Sequence, residues 1–211
     1  MYLSRLVLNP TSRQVQREIG DPYNLHRTIM NAFQDRRAED GVLHRLEIHP
    51  RSGQPLLLIQ SLEEPDFTSL EGKGYLLETD PFTDLPNPAV KPFEPSLHEG
   101  QTLRFRLYAN PTVKRDGKRH GLYREEDQVQ WLERKGEQGG FRVLQVYPRK
   151  LGNQSGWINR EENQRHRLTQ LVIQFDGRLQ VLDVEKLLLT IEKGIGPSKA
   201  FGCGLLSLAP G

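Results

Sequence analysis

Apolar and polar residues alternate in "YLSRLVLN", residues 2 to 9, and this period of two predicts a strand. A helical period follows Gly20. Asp21 is a good N-cap, and Pro22 suits the first helical position because its missing N–H would be unpaired there. Leu25, Ile29, Ala32 and Phe33 share one side of the helix so defined, which is expected to run from Asp21 to about Arg37. Tyr23, His26, Arg27 and Met30 fall on the neighbouring side. Next come "VLHRLEIHP" (42–50) and "PLLLIQSL" (55–62) as strands, a short helical turn over 66–70, and "GYLLET" (74–79) as a fourth strand. Strand, helix, strand, strand, short helix, strand is the order of a ferredoxin-like unit.

Residues 80–95, "DPFTDLPNPAVKPFEP", hold five of the 14 prolines and read as an extended connector, because proline locks φ and removes a donor. The pattern then starts again. "TLRFRLYANP" (102–111) alternates like a strand. "REEDQVQWLERKGEQGG" predicts a helix with an acidic start, Val129 and Leu132 on one face, and Gly139–Gly140 as its stop. "FRVLQVYP" predicts a strand, and "LTQLVIQFDGRLQVLDV" a hairpin turning at Asp176–Gly177. "VEKLLLTIEKG" predicts a helix ended by Gly194, and "CGLLSLAP" a closing strand. The expected fold is therefore α+β, with two tandem ferredoxin-like domains built on antiparallel sheets. The first, residues 1–90, would carry Tyr23 and His26; the second spans 91–211.

Composition narrows the function classes. The 211 residues are 36% hydrophobic and 27% charged, which fits a soluble globular protein. No run of about 18 apolar residues is present, and the N-terminus has no basic segment followed by a long apolar one, so neither a membrane span nor a signal peptide is expected. Cys203 is the only cysteine, which suits a reducing, cytoplasmic setting. Net charge is only +2, but the cations are clustered. Lys114, Arg115, Lys118 and Arg119 lie in one short stretch with His120, and Arg149, Lys150, Arg160, Arg165 and Arg167 in a second. One such cluster reads as a solvated loop; two in one half of the chain point to a polyanionic partner.

Three groups of residues bear on chemistry. Tyr23 and His26 are three apart on a helix, so the phenol and imidazole can address one atom, at an N-terminus that favours an anion such as phosphate. That positive end disfavours the imidazolium, which suits His26 to proton transfer near neutral pH. A surface histidine beside a half-buried tyrosine is the plainer reading. The second group is "GIGPSKAFGCGLL" (194–206), where Gly194, Gly196, Gly202, Gly204 and Lys199 could grip a phosphate backbone, or simply cap a helix and turn. It lacks the third glycine of a dinucleotide fingerprint and the ending of a P-loop. The third group is negative for metal. His44, His49, His98, His120 and His166 are scattered, and Glu125–Glu126–Asp127 reads as a helix N-terminal turn, so no metal or other cofactor is expected.

The residues resemble, as a set, the CasE family of CRISPR-associated endoribonucleases of the RAMP superfamily. The similar segments are "LVLNP" near the start, "DPYNLHRTI" (21–29), "LEEPDF" (62–67), "KPFEPSLHEGQTLRFRLYANPTVKR" (91–115) and "WLERKGEQGGF" (131–141). The most specific is "LDVEKLLLTIEKGIGPSKAFGCGLLSLAP" (182–210), while residues 149–167 match least. The resemblance implies two RRM-like domains side by side and metal-independent cleavage of CRISPR repeat RNA at the base of its stem-loop. It also implies retention of the crRNA hairpin within the Cascade complex, beside other Cascade subunits. The family's catalytic tyrosine and histidine match Tyr23 and His26, with the RNA 2′-hydroxyl as nucleophile and a 2′,3′-cyclic phosphate and 5′-hydroxyl as products. Tyr23 would orient the nucleophile or stabilise charge on phosphate, Arg27 would hold the phosphate, and His26 would act as base or acid. The rival readings are a RAMP subunit that binds crRNA without cutting it, and an RRM-like regulator. The Tyr-x-x-His pair speaks against the first, and the lack of spaced aromatics in the first strands against the second.

Overall fold

A computed structural model describes the backbone of residues 1–33, 41–161 and 164–211, and the side chains of 1–33, 41–157 and 167–211. The first half runs β1 (Tyr2–Val7), α1 (Arg13–Ile19), α2 (Pro22–Met30), β2 (Leu43–Ile48), β3 (Pro55–Ser61) and β4 (Ala89–Pro92). The second runs β5 (Thr102–Ala109), β6 (Thr112–Arg115), β7 (Lys118–Gly121), α3 (Glu125–Gln138), β8 (Phe141–Glu161), β9 (Gln164–Val181), α4 (Val184–Lys193) and β10 (Leu206–Pro210). Two four-stranded sheets result, ordered β2-β3-β1-β4 and β10-β5-β9-β8. Taken within each half, both have the strand order of a ferredoxin-like unit, so the α+β class and its repetition hold. The chain divides into two compact units. One comprises Met1–Glu94, Ser155–Leu168 and Ala200–Gly202; the other comprises Pro95–Gln154, Thr169–Lys199 and Cys203–Gly211.

In the first unit β1 is central, antiparallel to β3 from Tyr2↔Ser61 to Val7↔Leu56 and to β4 from Tyr2↔Pro92 to Arg5↔Ala89. Its Leu6, with Leu8 just beyond, joins Leu57 and Ile59 of β3, Val15 of α1, and Leu25 and Ile29 of α2 in one buried cluster. The predicted apolar side of α2 is thus its buried side, which is what fixes the helix on the sheet.

Four expectations for this half need correction. Residues 13–19, for which no element was expected, form a helix in which only Val15 and Glu18 are buried. The next helix ends at Met30, with Asn31 as its C-cap; residues 34–37 of its expected extent lie outside the described residues. The fourth strand is not 74–79, where only Leu76 bridges to Leu8, but Ala89–Pro92, inside the proline-rich connector. Prolines are tolerated there because β4 is an edge strand, and the Asn87 side chain bonds both Val7 N–H and Val7 C=O, each at 2.9 Å, where pairing stops. Finally, the turn expected near 66–70 is present, over 68–74, but it does not wind into the short helix of the ferredoxin-like order.

In the second unit β5 lies between β10 and β9. Asp176–Gly177 is not a turn. Both residues lie inside β9, opposite Arg106 and Phe105 of β5, and the strand that β9 pairs with on its other side is β8, Phe141–Glu161. The Asp176 carboxylate takes Arg106 Nε at 2.7 Å and Nη2 at 3.1 Å. Burial, which would raise its pKa, is outweighed by the bonds from Arg106 and Gln174 and by the nearby guanidinium charges. A Cβ on Gly177 would collide with the Gln145 carbonyl oxygen, so glycine serves a close strand approach here. α3 buries Gln128, Trp131, Leu132 and Gly136, while Val129 is only half-buried.

Candidate active site

The first turn of α2 is built by its cap. The Asp21 carboxylate accepts the Asn24 backbone N–H at 3.4 Å and the Asn24 side-chain amide at 2.9 Å, and Pro22 follows. One turn carries both Tyr23 and His26, with ring centroids 6.4 Å apart. Tyr23 is half-buried and its ring lies 6.3 Å from that of Phe201. His26 is buried and stacks on His44, with centroids 5.5 Å apart and planes 19° apart.

These two rings open onto a cleft of about 660 Å³, lined also by Arg17, Asn24, Arg27 and Asn31. Arg17 and Arg27 are exposed, so the cleft offers cations to an anionic ligand. Glu18, in the same wall, is committed elsewhere. Its carboxylate accepts Tyr75 Oη at 2.5 Å, Thr28 Oγ1 at 2.8 Å and Gln14 Nε2 at 2.9 Å, which ties α1 to α2 and to the segment after β3. Burial and the Glu18 carboxylate together push the Tyr75 phenol upward, so it stays a neutral donor.

Distant residues complete the setting. A Cβ on Gly156 of β8 would stand 2.8 Å from Phe201 Cε1 and 3.1 Å from Asp21 Oδ1, so only glycine lets that strand pass. Ala200 adds to the cleft wall, and Gly202 lies 3.7 Å, by its would-be Cβ, from His44 Cδ2 and Nε2. Part of the glycine-rich loop thus packs around the start of α2. Gly194 caps α4; a Cβ on Gly196 would stand 2.9 Å from Trp131 Cζ2, and one on Gly204 3.6 Å from Lys199 Cγ.

Lys114, Arg115, Lys118 and Arg119 lie on a two-stranded hairpin, β6–β7, with Lys114 opposite Arg119 and Arg115 opposite Lys118. All four are exposed. Like charges directly opposed repel, so this hairpin gains from an anion laid across it. Arg149 donates to Gln174 Oε1 at 2.7 Å, Lys150 is exposed on β8 and Arg167 on β9. The side chains of Arg160, Arg165 and His166 lie outside the described residues. Sequence reasoning missed Arg17, Phe201, Gly156 and the pairing of His44 with His26. Only Arg17 had a local signal, in the helical spacing of Val15 and Ile19 after Ser12.

A sequence model described as "CRISPR associated protein" matches residues 1–210. The chain belongs to that family. Over the full length of both chains it is 39% identical to the CRISPR-associated endoribonuclease Cse3 of Thermus thermophilus and 30% identical to the Cascade subunit CasE of Escherichia coli. The solved structure of Thermus thermophilus Cse3 bound to an RNA representing a pre-cleavage complex superimposes with a TM-score of 0.81 at 39% identity, covering 99% of this chain and 98% of that one. The CasE resemblance carried by the sequence motifs therefore holds along the whole chain. Among the described residues no helix is long and apolar enough to cross a membrane, and no three His, Cys, Asp or Glu side chains cluster as metal ligands do.

Proposed function

We propose that this CasE-family chain is a cytoplasmic endoribonuclease that cuts CRISPR repeat RNA at the base of its stem-loop and keeps the crRNA hairpin within a Cascade complex. The observation that carries this reading is the Tyr23–His26 pair at the N-terminus of α2, opening on a cleft lined by Arg17 and Arg27. Arginines and helix-start amides attract the scissile phosphate. The RNA's own 2′-oxygen attacks phosphorus and the bond to the 5′-oxygen breaks, leaving a 2′,3′-cyclic phosphate and a 5′-hydroxyl. His26 moves a proton at one end of this displacement, from the attacking 2′-hydroxyl or onto the departing 5′-oxygen. Tyr23 orients the nucleophile or hydrogen-bonds the charge that develops on phosphate. The step needs no metal and no cofactor, because the nucleophile is within the substrate.

RNA phosphates are met by the opposed cations of β6–β7, by Arg149, Lys150, Arg160, Arg165 and Arg167 along β8 and β9, and by the loop holding Gly194, Gly196, Lys199, Gly202 and Gly204. RNA helices are read largely by backbone and shape, which suits this distribution. The names of the relatives, an endoribonuclease and a Cascade subunit, support the same reading.

A repeat RNA with a single 2′-deoxy nucleotide just upstream of the scissile phosphate tests the mechanism. It is expected to bind as tightly as the all-ribose RNA and to remain uncut, while the all-ribose RNA is cut in excess EDTA. Cutting of the deoxy RNA, or loss of cutting in EDTA, points instead to metal-activated water. Binding without cutting of either RNA identifies a crRNA-holding subunit.

A further inference from the structure

Strand β2 puts an imidazole where its pattern calls for an aliphatic side chain. His44 stands opposite Ile59 of β3, and Leu46 opposite Leu57, so His44 and Leu46 share the face on which Ile59 and Leu57 join the core. His44 is 1% exposed, and neither ring nitrogen has a hydrogen-bond partner among the described residues. A buried polar group so placed is destabilising, and packing alone would favour leucine or phenylalanine. What its ring does stack on is His26, face to face, and a Cβ added to Gly202 would stand 3.7 Å from its Cδ2 and Nε2.

We propose that His44 is a positioning residue of this site, a flat stacking platform that fixes the direction of the His26 ring. The inference rests on the nuclease reading above and deepens it. An imidazole on a helix turns freely about χ2 unless something packs against its face, and turning moves both nitrogens. Misplacement of a reacting group by about 1 Å lowers a rate by as much as about 10². The platform must also be uncharged, since His26 becomes an imidazolium whenever it takes up a proton. Burial, and then the neighbouring His26, hold the His44 imidazole down to about 3, so near neutral pH it does not repel that charge.

The test uses the full chain and a hairpin RNA carrying the CRISPR repeat of its own locus, in single-turnover cleavage with Kd measured separately. His44→Ala is expected to slow cleavage by about tenfold or more with Kd changed by less than about twofold, because it acts on orientation and not on binding. His44→Phe keeps a flat ring without nitrogens and is expected to restore the rate to within about threefold of the native chain. His44→Leu fills the space without a ring, and is expected to be slow; it replaces the alanine variant if that one does not fold. In a His26→Ala background the His44→Ala change is expected to add less than about twofold, since it works through His26. Native rates for His44→Ala or His44→Leu overturn the inference, as does a phenylalanine variant as slow as the leucine one. A slowing that persists undiminished without His26 also overturns it. These outcomes leave the nuclease reading standing if the native chain cuts and His26→Ala does not. A native chain that leaves the RNA whole overturns the nuclease reading itself.

Discussion

The start of α2 and the β6–β7 hairpin both hold an imidazole among cations, yet their surroundings differ. His26 is buried, with its ring stacked on His44 and the Tyr23 ring near by. His120 is exposed, opposite Val113 and beside Arg119 on a strand open to solvent. Burial gives an imidazole a fixed direction, which proton transfer needs. Exposure leaves only charge, which is screened by salt and acts on encounter and affinity. The two regions should therefore fail in different ways when altered.

The sharpest break between them is expected from His26→Ala. Single-turnover cleavage of the repeat RNA should fall by about 10² or more with RNA affinity nearly intact. Tyr23→Phe should lower the rate in the same manner but less. If His26→Ala cuts at the native rate, the start of α2 is a binding surface like the hairpin, and the contrast collapses.

The converse change is Arg115→Ala with Arg119→Ala. Here the expected effect lies in affinity and its salt dependence, with cleavage of saturating RNA unchanged. The slope of log affinity against log salt should become shallower by about 1 to 2 units, one counterion contribution per lost cation. A slope that does not move would mean that the hairpin is a solvated face.

The last contrast concerns stability and not RNA. Below about pH 6.5 the unfolded chain takes a proton on His44 that the folded protein refuses until about pH 3. Stability therefore rises with pH between those values on account of this residue and is flat above them. Thermal denaturation of His44→Phe should show a weaker loss on acidification through that window, by at most about 1.4 kcal/mol per pH unit. Equal slopes for the two proteins would show that His44 does not stay neutral on folding.

Much of the scaffold was legible because it is local. The cap Asp21–Pro22, the apolar side of α2, the alternation of β1 and β5, and the acidic start of α3 each follow from spacing within a few residues. What was missed depends on partners far along the chain. β4 is a strand because β1 has an open edge that accepts a proline-bounded segment. Asp176–Gly177 has the chemistry of a turn, but Arg106 opposite the aspartate and the Gln145 carbonyl against the glycine hold it straight within β9.

The candidate site divides in the same way. That a phenol and an imidazole share the first turn of a helix follows from a spacing of three and a helix period, so residues 21–26 alone specify it. That the imidazole has a ring beneath it, that Phe201 lies against the phenol, and that Gly156 and Gly202 leave room for them does not. His44, Gly156, Phe201 and Gly202 come from β2, β8 and the loop before β10, and no periodicity links them to α2. Local hydrogen bonding and side-chain period are encoded over one or two turns of chain. The direction of the His26 ring is set by packing between segments that only the folded sheet and its long hairpin bring into contact.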